Sequence, residues 1–152
     1  ATEPISVDAP VRVDDRPLDA VVNDEIASET PLAIVMADLG LLEAAQLRSF
    51  IETDGDVVIA PGRGGGTNAL VVRDDAFRVD YHGVSFRDHL RIARERDLSV
   101  SVVDSFRMAT DVDTTEDLIE VLLHGNGTAP MWLQGARIRL ETSDRRPTVI
   151  RE

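Results

Sequence analysis

The chain has 152 residues and a formal net charge of −12, from 16 basic and 28 acidic side chains. This length suits one domain with a substantial core, and 43% hydrophobic with 29% charged residues is typical of a globular protein. The sequence has no cysteine, which excludes disulfide scaffolds, zinc–thiolate sites and cysteine nucleophiles. The negative charge argues against nucleic acid as a partner, and the sequence shows neither a membrane span nor a signal peptide, so we expect a cytoplasmic protein.

Every basic residue is arginine, and aspartate outnumbers glutamate. An acidic surface without lysine is typical of proteins that stay soluble in molar salt, where carboxylates hold hydrated cations and self-repulsion is screened. GC-rich coding also favours arginine over lysine. The composition therefore favours a halophilic source together with GC-rich coding, and it indicates the solvent rather than the chemistry.

Apolar patterning predicts helices and strands that alternate along the chain. The predicted elements are, in order, a helix over residues 17–28, a strand over 32–37, a helix over 43–51, strands over 57–60 and 69–72, a helix over 85–97, a strand over 99–103 and a helix that begins after Thr114 and stops at Gly125. The continuous apolar run over 32–37 is typical of a strand buried on both faces. Ser85 with Asp88, and Thr114 with Asp117, have capping-box spacing. The alternation predicts an α/β fold with a mostly parallel sheet.

The last residues of the chain have a different pattern. From Gln134 onward the sequence is rich in arginine, and short apolar segments at 138–140 and 148–150 flank the polar stretch SDRRP. This pattern predicts a surface hairpin or an edge extension. We therefore divide the chain into a domain over 1–134 and a C-terminal extension over 135–152.

Three carboxylates stand where chemistry usually occurs in an open α/β sheet, beyond the carboxyl ends of strands. Asp38 follows the first apolar strand, and Asp111 and Asp113 precede the helix that begins after Thr114. Hard oxygen ligands of this kind suit Mg²⁺. The alternative is that Asp38 and Asp113 only belong to helix caps, where aspartate is also common.

The glycine-rich segment PGRGGGTNAL, residues 61–70, is the most unusual stretch. Consecutive glycines allow backbone amides to turn towards an anion, which predicts a ligand-binding nest that includes Gly65 and Gly66. Arg63, Thr67 and Asn68 add side-chain donors. The segment matches neither a Walker A loop nor a dinucleotide fingerprint, and the alternative is a flexible turn at a strand break.

The other chemically active side chains are interpreted as structural. None of the three histidines has a second ligand at metal spacing, no nucleophile elbow surrounds a serine, and the two isolated aromatic residues are expected in the core; the residues are His82, His89, His124, Trp132 and Phe106.

Five segments resemble a known family: VDDRPLDAVVN, IVMADLG, VVIAPGRGGGTNAL, VDYHGVSFRDHL and SFRMATDVDTTEDLIEVLLHG. In this order they closely resemble the 2-phospho-L-lactate guanylyltransferase family of coenzyme F-420 biosynthesis, from about Asp14 to Gly125. The composition fits the haloarchaeal branch of that family. The resemblance implies a three-layer α/β/α Rossmann-like nucleotidyltransferase sheet, similar to molybdenum-cofactor guanylyltransferases, and a homodimer.

The resemblance also implies roles for individual residues. Asp38, Asp111 and Asp113 would be the Mg²⁺ ligands, and Thr67, Gly83 and Ser85 would hold the phosphorylated three-carbon acid. The substrates would be GTP and either 2-phospho-L-lactate or phosphoenolpyruvate. A phosphate oxygen of the acid would attack the α-phosphorus of GTP with loss of pyrophosphate, and this needs no general base because a phosphate monoester is already mostly dianionic.

Two positions depart from the family pattern: Gly40 stands in place of a proline, and His82 stands in place of a glycine. The family also begins with a strand and a basic, glycine-bearing phosphate loop, followed by a second βα unit. At roughly 30 residues per unit, we expect about 50 to 60 residues of that pattern to be missing here, together with N-terminal strands. The sequence is then either an N-terminal truncation or a decayed copy.

Two alternative functions remain open at this point. One is another nucleotidyltransferase of the same fold that uses CTP or a different acceptor. The other is a non-catalytic binding module.

Overall fold

The computed structural model describes residues 8–142 and 146–151. The helices are α1 (Leu18–Glu29), α2 (Ala44–Glu52), α3 (Ser85–Glu95), α4 (Phe106–Ala109), α5 (Thr115–His124) and α6 (Thr128–Gly135). The strands are β1 (Leu32–Val35), β2 (Val57–Pro61), β3 (Thr67–Val72), β4 (Val100–Val102), β5 (Ile138–Glu141) and β6 (Thr148–Arg151). Each helix and strand predicted up to residue 125 is present with bounds shifted by a few residues, and within the described residues every helix is too short or too polar to cross a membrane.

The main sheet has the strand order β1-β3-β2-β4. Strand β3 runs antiparallel to both of its neighbours, whereas β2 and β4 are parallel. The prediction of a mostly parallel sheet is therefore wrong for these strands. The reason is the short connection over residues 62–66, because a parallel crossover needs a dozen or more residues. Strands β1, β2 and β4 still share one direction, with β3 inserted between β1 and β2 against it.

Helices pack on both faces of the main sheet. On one face, Val57, Ile59, Leu70 and Val72 pack with residues of α1 and α3, namely Val22, Ile26, Ile92 and Ala93. On the other face, Val58, Ala60, Ala69 and Val71 pack with Phe50 of α2 and Met108 of α4. The period-two alternation of β2 and β3 thus supplies two separate apolar clusters, and both strands are buried on both faces.

Two local predictions fail. Strand β1 is only half-buried, with Ala33 exposed, because it lies at the edge of the described sheet.

Ser85 is not the N-cap of α3: the cap position is Val84, and the backbone amide of Phe86 donates to Gly65 O at 3.2 Å. A backbone carbonyl from another loop thus satisfies one of the first amides of α3.

The capping box of α5 is confirmed. The Thr114 side chain accepts a hydrogen bond from the amide of Asp117, and the Asp117 side chain accepts one from the amide of Thr114. Helix α5 ends at His124 and its C-cap is Gly125, as the sequence predicts.

The C-terminal strands β5 and β6 pair antiparallel, from Ile138 opposite Arg151 to Glu141 opposite Thr148. The predicted hairpin is therefore present, while residues 143–145 of its connection lie outside the described residues. The hairpin packs on α5 and α6, where Ile138 joins a third apolar cluster around Leu41, Val121 and Leu133. The division of the chain at residue 134 stays a prediction.

The expectation that the two isolated aromatic residues lie in the core is wrong. Trp132 is 69% exposed and Phe106 is 47% exposed. Trp132 lies on α6 beside the equally exposed Met131, and the ring of Phe106 packs edge-on against His124 at 5.3 Å. Neither residue belongs to any of the three apolar clusters.

Candidate active site

The three predicted carboxylates lie on two loops that are tied together. Asp38 is in the loop after β1, and Asp111 and Asp113 are in the connection between α4 and α5. The backbone amide of Val112 donates to Asp38 O at 3.0 Å. This single hydrogen bond joins the two loops directly between Asp111 and Asp113.

The charges of these carboxylates affect one another. The negative charge of Asp111 is the main cause that raises the pKa of Asp113, with smaller contributions from burial and from the charges of Asp38 and Asp117. Asp113 and Asp38 are exposed and Asp111 is half-buried. The loops therefore hold like charges close enough to repel, in a place that a cation can reach.

Oxygen donors of this kind fit a hard divalent cation, which would relieve the repulsion. The ligand atoms of Asp38, Asp111 and Asp113 do not all come within 4.8 Å of one another in the described structure. A group that meets this distance consists of Asp19, Asp80 and His82, which could hold a metal ion. Its members already have partners, because Asp19 accepts from the amide of Tyr81 at 2.8 Å and Asp80 pairs with His82.

Asn68 orients one of the carboxylates. It occupies a bulge of β3, where the register with β2 shifts between Ala60 and Pro61, and it is buried. Its side-chain amide donates to Met108 O at 2.9 Å and to Asp111 Oδ1 at 3.2 Å. The amide nitrogen of Asn68 thus faces Asp111 and the backbone of α4.

The glycine-rich loop connects β2 to β3 and rests on the start of α3. The amides of Gly62 and Gly65 donate to Gly66 O and Gly62 O within the loop. Gly65 has φ +88°, a conformation that favours glycine, and a Cβ there would lie 3.0 Å from Val84 Cγ1. Among the described residues, the amides of Gly64 and Gly66 make no backbone–backbone hydrogen bond, so two of the loop's donors stay open to a ligand.

Arg63 ties this loop to the acidic side of the site. Its backbone amide donates to Ala109 O at 3.1 Å, and its guanidinium donates to Asp117 Oδ1 at 2.6 Å. The Thr114 hydroxyl, which donates to Asp117, is the main cause that lowers the pKa of the Asp117 carboxyl, and Arg63 adds a smaller effect. Arg63 is half-exposed, so its remaining N–H groups can reach an anion.

The residues predicted to hold the acid surround the glycine-rich loop. Thr67 begins β3, Ser85 begins α3, and both are buried. Gly83 is exposed and has φ +46°, in the turn that leads into α3. The contact between Phe86 N and Gly65 O holds this turn against the loop. The structure thus brings Gly65, Gly66, Thr67 and Ser85 into one region.

Comparison with known proteins identifies the family. The family model described as "Guanylyl transferase CofC like" matches residues 6–151. The chain belongs to this family. A 2-phospho-L-lactate guanylyltransferase from Halomicrobium mukohataei is 56% identical over 152 residues, which is 99% of this chain and 75% of that protein. One from Natronomonas pharaonis is 53% identical over 99% of this chain and 74% of that protein, and one from Haloferax volcanii is 55% identical over 91% and 68%.

Family membership confirms the resemblance found in the sequence, and the haloarchaeal relatives agree with the acidic, lysine-free composition. The described helices and sheet are consistent with an α/β nucleotidyltransferase. An added Cβ at Gly40 would lie 2.9 Å from Val121 Cγ2. The close approach of α5 therefore explains the glycine.

Sequence reasoning missed the polar contact of Thr67 with a histidine. The hydroxyl of Thr67 lies 2.9 Å from His89 Nδ1, and both residues are buried. We interpret His89 as structural in the sequence because it has no second ligand at metal spacing. Its contact depends on how α3 packs against β3, and no spacing in the sequence signals it.

Proposed function

We propose that the chain transfers GMP from GTP to 2-phospho-L-lactate, or to phosphoenolpyruvate, with release of pyrophosphate, in coenzyme F-420 biosynthesis. The observation that carries this proposal is the 56% identity, over nearly the whole chain, to a protein named 2-phospho-L-lactate guanylyltransferase. The unpaired amides of Gly64 and Gly66 and the mutually repelling carboxylates of Asp111 and Asp113 support it, because such groups suit phosphate and a divalent cation, respectively.

The fold that we propose is the three-layer α/β/α Rossmann-like sheet of molybdenum-cofactor guanylyltransferases. The support for it is the packing of α1 and α3 on one face and of α2 and α4 on the other. We further propose that the protein acts as a homodimer in the cytoplasm.

Asp38, Asp111 and Asp113 are the residues that we propose as Mg²⁺ ligands. Their donor chemistry fits this ion, and their mutual repulsion raises the pKa of Asp113. When bound, the ion would neutralise the charge that develops on the phosphate oxygens. Asn68 keeps Asp111 in place through its hydrogen bond to Oδ1.

The acid would lie between the glycine-rich loop and the start of α3. Its phosphate can accept hydrogen bonds from the open amides of Gly64 and Gly66, while Thr67, Gly83 and Ser85 contact the rest of the molecule. Arg63 adds a cation at the edge of the same loop. The role of Gly65 is to let the loop make its turn, and the role of Asn68 is to orient a carboxylate.

The chain's own residues contribute position and charge rather than a proton acceptor. A phosphate oxygen of the acid attacks the α-phosphorus of GTP, a new diphosphate bond forms, and the bond to the β-phosphate breaks to release pyrophosphate. The acid's phosphate is mostly dianionic at neutral pH, so this oxygen needs no general base. The open amides and Arg63 hold the acid in line, which lowers the entropic part of the barrier.

The test is an assay of pyrophosphate release in high KCl with Mg²⁺, each candidate acid, and either GTP or CTP. The Halomicrobium mukohataei relative, assayed beside the chain, serves as the positive control. We expect turnover with GTP and a phosphorylated three-carbon acid. Preference for CTP at equal concentration, or a silent chain beside an active relative, would show that the proposal is wrong.

The same assay tests the metal assignment. We expect Asp113→Asn to lower the rate by about 100-fold, because it removes one proposed ligand. Asp75→Asn is the matched control. Asp75 is an exposed carboxylate that follows the last residue of β3, whereas Thr67 is the first residue of that strand. Equal rates for the two variants would exclude Asp113 as a ligand.

A further inference from the structure

His89 has a fixed position inside the protein. It lies on the side of α3 that faces the sheet and is 0% exposed. The rings of Phe77 and Tyr81 flank it, with centroids 5.9 and 5.1 Å away. Asp19 of α1 holds the segment that carries these rings, because it accepts a hydrogen bond from the backbone amide of Tyr81. The imidazole therefore has little freedom to turn.

The hydrogen bonds of His89 determine its tautomer. The backbone amide of Asp80 donates to Nε2 at 3.0 Å, and a nitrogen that accepts from an amide carries no proton. Burial lowers the pKa of His89 to about 4, although the nearby charges of Asp80, Asp88 and Asp19 act in the opposite direction. The ring is therefore neutral at pH 7, with its one proton on Nδ1.

The proton on Nδ1 points at Thr67. The distance from Nδ1 to the Thr67 hydroxyl oxygen is 2.9 Å, so the imidazole donates and the hydroxyl accepts. A hydroxyl that accepts one hydrogen bond keeps its own proton for a second partner. Thr67 follows Gly66 directly, whose amide is one of the two open donors of the glycine-rich loop.

We propose that His89 is a positioning residue for substrate: its Nδ1–H fixes the Thr67 hydroxyl as a hydrogen-bond donor to the phosphorylated acid. This inference rests on the proposed function, which assigns Thr67 to the acid. The oxygens of the acid are acceptors. A Thr67 hydroxyl that donated its proton to the imidazole would have none left to donate to them. The tautomer set by the Asp80 amide excludes that arrangement, and the held hydroxyl does not lose rotational freedom when the acid binds.

The test is calorimetric measurement of the dissociation constant for 2-phospho-L-lactate and for phosphoenolpyruvate, with the full chain in high KCl. We expect His89→Phe, which keeps an aromatic ring but has no donor, to weaken binding of the acid by about 10-fold. His89→Asn places an amide donor near the position of Nδ1 and restores part of the affinity. In a Thr67→Val background, His89→Phe changes the affinity by less than about 2-fold, because the residue acts through that hydroxyl.

Each outcome has a distinct meaning. Wild-type chain that binds neither acid overturns the proposed function, and this inference with it. Wild-type chain that binds an acid, with His89→Phe equally tight or with the two substitutions acting independently, overturns the inference alone. Nitrogen-edited NMR of the His89 ring provides a readout without substrate: a proton on Nδ1 at pH 7 supports the inference, and a proton on Nε2 overturns it.

Discussion

The pKa values of Asp113 and His89 are shifted by two different physical causes. The pKa of Asp113 is raised mainly by the like charge of Asp111, whereas burial lowers the pKa of His89 to about 4. A bound cation would reverse the first effect but not the second. The raised pKa of Asp113 thus indicates a place for a cation. The lowered pKa of His89 indicates a ring that must stay neutral for the fold to be stable.

The pH dependence of stability follows from the second effect. The folded protein binds a proton at His89 less readily than the unfolded chain, whose histidine has the ordinary value of 6.5. The contribution of the neutral ring is therefore fully present above pH 6.5 and is lost as the pH falls towards about 4. We expect the free energy of unfolding, measured by urea denaturation, to decrease more steeply for wild type than for His89→Phe as the pH is lowered over this range. Equal slopes would contradict the prediction.

The local part of the fold follows from the sequence, and the long-range part does not. The capping box of Thr114 and Asp117 is predictable because it joins residues three apart, and helix periodicity predicts α1, α2 and α3. Ser85 has the same signature, but a carbonyl from the glycine-rich loop contacts the start of α3 and Val84 takes the cap position. The predicted strands 57–60 and 69–72 leave a connection of eight residues, which is too short for a parallel crossover, so the antiparallel direction of β3 could have been predicted.

The candidate site divides in the same way. Asp38, Asp111, Asp113 and the glycine-rich loop can be selected by residue type and by their place after strands. The contacts of Asn68 with Asp111 and of Thr67 with His89 cannot, because 43 and 22 residues separate the partners. Such contacts depend on how helices pack on the sheet, and periodicity carries no information about that.

The capping box gives a prediction for α5. Thr114→Ala removes the hydroxyl that accepts from the amide of Asp117, and we expect it to lower the free energy of unfolding by about 1 kcal/mol. Thr115→Ala is the matched control, because Thr115 is exposed and is the first residue within the helix. Urea denaturation of both variants in the same salt measures the difference. A Thr114→Ala variant as stable as the control would show that the capping box contributes nothing to the fold.

On the scale of the whole molecule, the strand directions bring the candidate residues to the end of the sheet where β1 and β2 finish. Strands β1, β2 and β4 share a direction and β3 opposes them, so the ends of β1 and β2 lie beside the start of β3. Asp38 follows β1, the glycine-rich loop follows β2, and Thr67 begins β3. Ligands of open α/β sheets bind beyond the carboxyl ends of the parallel strands. Because β3 runs in the opposite direction, its first residue, Thr67, lies at this same end of the sheet.

We propose that the chain joins a phosphorylated three-carbon acid to GMP at this end of the strands. Phosphorus NMR of a reaction with GTP, Mg²⁺ and 2-phospho-L-lactate or phosphoenolpyruvate in high KCl tests it most directly, because it observes the new bond. We expect two coupled signals from a diphosphate that links the acid to guanosine, together with an equal amount of pyrophosphate. Pyrophosphate without the linked product, or unchanged GTP while the Halomicrobium mukohataei relative reacts, would contradict it.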